Sequence, residues 1–162
     1  MGYTNYWNPK KLTHKEIPND FWDDCIKVLD LIIQKGVKLA TGDGLKKFES
    51  GKDIINSTVM SDGEYPSIVL NGYSGNDDED ESYETFDLTF NGEWNFCKTA
   101  RLPYDVAVKC ILLLAEEYHL LKKRGEMDDE NEGGFDWDGD ESDEEYKNAM
   151  EIITALKLSK EA

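Results

Sequence analysis

The sequence has little of what marks a membrane, secreted or metal-dependent protein. Its longest apolar run, Cys110 to Ala115, spans six residues, far below the roughly 20 needed to cross a bilayer. The three cysteines, Cys25, Cys97 and Cys110, are far apart with no Cys-x-x-Cys. That pattern excludes a disulfide framework and reads as reduced thiols used as small buried hydrophobes. The two histidines, His14 and His119, lack the spacing of a zinc site. No Gly-x-Ser-x-Gly, Walker loop or Gly-x-Gly-x-x-Gly occurs. These absences argue against a His-dependent enzyme, so no catalytic residue, metal or cofactor is nominated. Carboxylate chemistry is the one catalytic route left open. The opening Met-Gly-Tyr-Thr-Asn-Tyr-Trp has neither a basic nor an apolar signal region, and Tyr6 stands where a myristoylation signal wants Ser or Thr. A cytoplasmic protein with no membrane contact is expected.

What is abundant is negative charge. The 162 residues carry a formal net charge of −17. Residues 77–81 supply five acids and residues 128–145 eleven; without them the charge falls from −17 to −1. The body is therefore nearly neutral and the acidity local. Such tracts repel phosphates, so direct contact with nucleic acid is not expected. Asp136-Trp137-Asp138-Gly139-Asp140 begins like a calcium loop, but Glu141 replaces the required Gly and Lys147 the closing Glu. A solvated acidic loop over about 126–141 is the better reading.

Hydrophobic periodicity places the elements. Phe21, Cys25, Val28 and Ile32 recur at helical spacing between Pro18 and Gly36, predicting a helix over about 19–35. Residues 53–60 read as a strand through Ile54, Ile55, Thr58 and Val59. Residues 67–73 and 84–90 read as further strands, and Asn91-Gly92 as a hairpin turn leading to a returning strand over 94–100. Pro103 and Asp105 open a second helix whose stripe runs through Ala107, Cys110, Ile111, Leu114 and Tyr118, ending at Gly125. A third helix is expected over about 142–158. The sum is an α+β fold: one domain over 1–162, with an antiparallel sheet of three to four strands against two or three helices.

Two segments carry candidate chemistry. Tyr3, Tyr6 and Trp7 put three aromatics at a chain end that is usually polar and mobile. They serve either packing or a stacking surface for a planar ligand. Phe96 to Asp105 runs from a strand into a helix N-terminus, with Lys98, Thr99 and Arg101 close to its first N–H groups. That combination can receive phosphate or carboxylate. It can equally pair with surface acids.

Met-Gly-Tyr-Thr-x-Tyr-Trp together with Phe-Cys-Lys-Thr-Ala-Arg-x-Pro-Tyr-Asp resembles a family of small tailed-phage proteins. The pair of motifs spans roughly residues 1–125. That family usually carries His where this chain has Asn5, a departure that favours binding over acid–base chemistry. The resemblance implies an early accessory product that counters host defence by sequestering a nucleotide-derived signal, of cyclic-nucleotide or ADP-ribose type. The expected ligand set is Tyr3, Tyr6 and Trp7 stacking on a base, with Lys98, Thr99 and Arg101 around a phosphate, and Tyr104 as a further ligand-binding residue. The expected partner is thus a small anionic nucleotide-like ligand, and a homo-oligomer would place one protomer's motif beside another's. The alternative is an acidic DNA mimic, or another direct inhibitor of a host defence protein.

Overall fold

The computed structural model describes residues 3–57, 65–75, 80–122 and 134–161. The elements are β1 (Thr4–Asn8), α1 (Asn19–Gln34), β2 (Leu39–Ala40), α2 (Gly51–Ser57), β3 (Ser67–Gly72), β4 (Phe86–Thr89), β5 (Asn95–Lys98), α3 (Asp105–Glu117), β6 (Gly134–Trp137) and α4 (Glu144–Glu161). The fold is α+β, as expected, but its strands form two antiparallel three-stranded sheets, ordered β5-β1-β6 and β2-β3-β4.

The helix α1 forms where the periodicity places it. It buries Phe21, Cys25, Val28, Leu29 and Ile32 and stops at Gly36, whose φ of +96° suits glycine. Burial of such a stripe is what stabilises a helix of this length. The helices α1, α3 and α4 pack on one another. All three cysteines are free and buried, and burial pushes the Cys97 thiol up to about 12.

Four local expectations are corrected. The stretch expected as a strand over 53–60 is helical through Ser57; residues 58–60 lie outside the described part. Ser50 Oγ accepts the Asp53 N–H at 3.1 Å, an N-cap bond that starts α2. Gly51 lies so close to α1 that a Cβ there would sit 2.3 Å from the Ile26 carbonyl oxygen. Asn91-Gly92 does turn the chain, with Gly92 at φ +83°, but it joins no hairpin. The strand before it pairs β3 and the strand after it pairs β1, so the turn carries the chain from one sheet to the other. Trp7 meets Phe86 edge-on at 5.1 Å where the two sheets share the core.

The helix α3 ends at Glu117 rather than near Gly125. His119 adopts φ +62°, and the Leu120 N–H reaches back to the Ala115 carbonyl at 2.8 Å. This is a Schellman end with His in the place glycine usually takes. Leu120 and Leu121 are then buried alongside β1. Finally, the acidic segment expected as a loop contains β6, which pairs β1 from Asn5↔Trp137 to Asn8↔Gly134. Lys123, Arg124, Gly125 and the acids of 126–133 lie outside the described residues, as do those of 77–79. Among the described residues, no helix is long and apolar enough to cross a membrane.

Candidate functional site

Strand parity sorts the N-terminal aromatics. Successive side chains on a strand face opposite ways, so Tyr3, Asn5 and Trp7 turn inward and Tyr6 turns outward. Trp7 is 1% exposed and belongs to the core. It offers no face to a ligand, which corrects the stacking role expected for it. Tyr104 and Thr99 are fully buried as well. The Tyr104 hydroxyl donates to the Glu84 carbonyl at 2.7 Å, and burial raises its pKa. Neither side chain reaches an open surface.

The inward residues build a buried ionic cluster that joins the two motif segments. Asp105 and Lys109, one turn apart on α3, form an ion pair at 2.7 Å with both side chains essentially unexposed. Asn5 bridges them, donating its amide N–H to Asp105 at 2.7 Å and accepting from Lys109 at 2.9 Å. The Thr99 hydroxyl donates to Asp105 at 2.6 Å. Burial lowers the Lys109 pKa while Asp105 opposes that shift. The Tyr3 ring lies 4.3 Å from the Lys109 ammonium and 4.1 Å from the Arg101 guanidinium, a double cation–π contact. Its hydroxyl donates to Asp143 at 3.0 Å. Asn5 and Lys109, absent from the expected site, thus hold its centre, in a structural role.

The expected anion receptor at the α3 N-terminus is closed. The N–H groups of Asp105, Val106, Ala107 and Val108 all bond carbonyls of Leu102, Pro103 and Tyr104, leaving none to receive phosphate. Arg101 is committed too, 2.8 Å from Glu145 and 3.9 Å from Asp143. It sits in a tight turn closed by the Leu102 N–H on the Thr99 carbonyl at 3.0 Å. Ala100 and Arg101, at its centre, both hold left-handed φ, 54° and 59°. That geometry costs roughly 1–2 kcal/mol per non-glycine residue, and the Tyr3 and Glu145 contacts hold it in place.

The outward face is different. Trp94, Phe96 and Lys98 are two residues apart along β5 and its approach, and β1 sets Tyr6 opposite Phe96 and Thr4 opposite Lys98. Trp94 is 43% and Phe96 40% exposed. Tyr6 stacks on Trp94 at 6.1 Å, and Trp94 lies 5.4 Å from Phe96. The Tyr6 hydroxyl donates to Asp138 at 2.6 Å, which orients the ring. Lys98 is exposed, and its ammonium makes no ion pair among the described residues. Asp136 lies across β1 from Phe96. Three aromatic rings, one cation on one side and carboxylates on the other therefore share one sheet face. Trp94 and Phe96 are absent from the expected ligand set, although strand parity with Lys98 would have found them.

The acids of 136–145 are largely occupied within the fold. Asp138 accepts from the Thr4 N–H and the Tyr6 hydroxyl, Asp140 from Ser142, and Asp143 and Glu145 hold Tyr3 and Arg101. Among the described residues, no group of three or more His, Cys, Asp or Glu is placed to hold a metal. No protein-family model, curated protein or solved structure matches the chain.

Proposed function

We propose that this is a phage accessory protein that binds and sequesters a nucleotide-derived host signal on the outer face of the β5-β1-β6 sheet. The observation that carries the reading is the exposed pair Trp94 and Phe96, flanked by the half-buried Tyr6 and with Lys98 on the same face. Open antiparallel sheets with exposed aromatics are suited to stacking bases. Tyr6 and Lys98 are retained from the expected ligand set; Trp94 and Phe96 replace Tyr3 and Trp7 as stacking groups. One uncommitted cation on β5, with Asp136 and Asp138 across β1 from it, favours a ligand of low charge, such as a cyclic nucleotide. A nucleic-acid polymer is disfavoured by the chain's net charge of −17. The ribose hydroxyls would face the carboxylates, and the phosphate Lys98.

Native mass spectrometry of the protein purified from infected, defence-active cells tests this. A stoichiometric nucleotide mass, released by heat and lost in Phe96→Ala, is expected. Each stacked base is worth about 1–3 kcal/mol, so Phe96→Ala should weaken binding roughly tenfold or more. An empty protein with a host protein co-purifying would overturn the reading in favour of a direct inhibitor. The phosphate-mimic form of that alternative is less favoured for residues 136–145, because most of those acids are bonded within the fold.

A further inference from the structure

A concavity lies between the end of α1, the turn before α3 and the start of α4. Its volume is about 420 Å3, within the range of small-molecule sites. Its wall is apolar, from Ile32, Val37, Leu102, Val106 and Ile152. The charges around it are unequal in availability. Arg101 is neutralised by Glu145 and Asp143, and Asp105 by Lys109. Lys35, Glu144 and Glu151 also line the cavity and have no ion-pair partner among the described residues, so its uncommitted charge is −1.

We propose that this cavity is a binding site for a small organic ammonium with an apolar body. The apolar wall takes the body, as burial of apolar surface supplies most of the affinity of such sites. Glu144 and Glu151 take the ammonium, and Asn148 at the same rim can accept a hydrogen bond. An anionic ligand of the same shape would have only Lys35 to meet it, against two carboxylates. Arg101 could join only by giving up Glu145. The cavity therefore selects by sign of charge, and independently of the sheet face.

The experiment is a two-dimensional amide NMR titration of the full chain with tryptamine and with indole-3-acetate, which share a ring and differ in charge. Tryptamine should shift the amides of Leu102, Val106, Asn148 and Ile152. Indole-3-acetate should bind more weakly. The double variant Glu144→Gln, Glu151→Gln, both exposed on α4 and outside the Arg101 pair, should weaken tryptamine roughly fivefold, as two exposed ion pairs imply. Equal binding of the two probes, unchanged affinity in the double variant, or no shift at these amides up to millimolar tryptamine would overturn the proposal. Cyclic-AMP titration followed at Phe96 and Lys98 reads the sheet face separately, so failure at one site is distinguishable from failure at the other.

Discussion

Removing the Asp105 carboxylate should be among the most damaging single changes in this protein. Asp105→Ala deletes the acceptor of three side chains, Lys109 at 2.7 Å, Asn5 at 2.7 Å and Thr99 at 2.6 Å. It leaves the Lys109 ammonium buried with the Asn5 carbonyl oxygen as its hydrogen-bond acceptor and the Tyr3 ring beside it, but no counter-charge in contact. Breaking one side of a buried ion pair costs about 3–5 kcal/mol, a large part of the 5–15 kcal/mol typical of a whole domain. Lys109→Met keeps the chain volume and leaves Asp105 with two donors, so it should cost less than Asp105→Ala. The double variant Asp105→Leu, Lys109→Met removes both charges. Its residual cost should be about 1–3 kcal/mol, from the Asn5 amide left without partners. The assay is urea unfolding followed by fluorescence. With a slope of about 2 kcal/mol/M, Asp105→Ala should lower the midpoint by roughly 2 M, and the double variant by less than the single. A double variant as unstable as the two singles summed, or a loss below about 1 kcal/mol for Asp105→Ala, would refute the claim that this pair is a desolvated, mutually dependent unit.

Ala100→Gly should raise stability by about 1 kcal/mol, because glycine holds φ 54° without the Cβ penalty; an unfolding midpoint that falls would contradict this. Arg101→Ala should lower the midpoint, since it removes the Glu145 pair and the Tyr3 contact, whereas Lys98→Ala should leave it unchanged and weaken ligand binding alone. The Ser142 hydroxyl and N–H hold the Asp140 pKa below the ordinary aspartate value. Its contribution to stability is therefore present above the unfolded-state pKa and is lost as pH falls through the folded one. Carbon-13 NMR should show the Asp140 midpoint moving up in Ser142→Ala. Gly51→Val should destabilise the α1–α2 contact, because its Cβ would clash with the Ile26 carbonyl; thermal unfolding reads the loss.

The amino-acid sequence by itself determined the α+β class, α1 and its end at Gly36, the buried thiols and the local nature of the acidity. Those features depend on short-range signals: helical periodicity, a C-terminal glycine and charge runs. It also placed both motif segments, and strand parity alone separates Tyr6 from Trp7 and aligns Trp94, Phe96 and Lys98. It could not show which strands pair. Residues 53–60 have β-branched composition, yet the Ser50 cap and packing on Ile26 make their first part α2. Asn91-Gly92 reads as a hairpin turn, yet β4 pairs the strand before it, β3, while β5 pairs β1 near the start of the chain, in the other sheet. Only the tertiary structure set Asn5 beside Asp105 and Lys109, a hundred or so residues distant. It also turned Arg101 toward Glu145 of α4 and Asp143 just before it. Burial decided the first outcome: a charge removed from water must find its partner within the fold, and the sequence does not state where that partner will be. Chain topology decided the second, by bringing Glu145 and the Tyr3 ring within reach of a half-exposed Arg101.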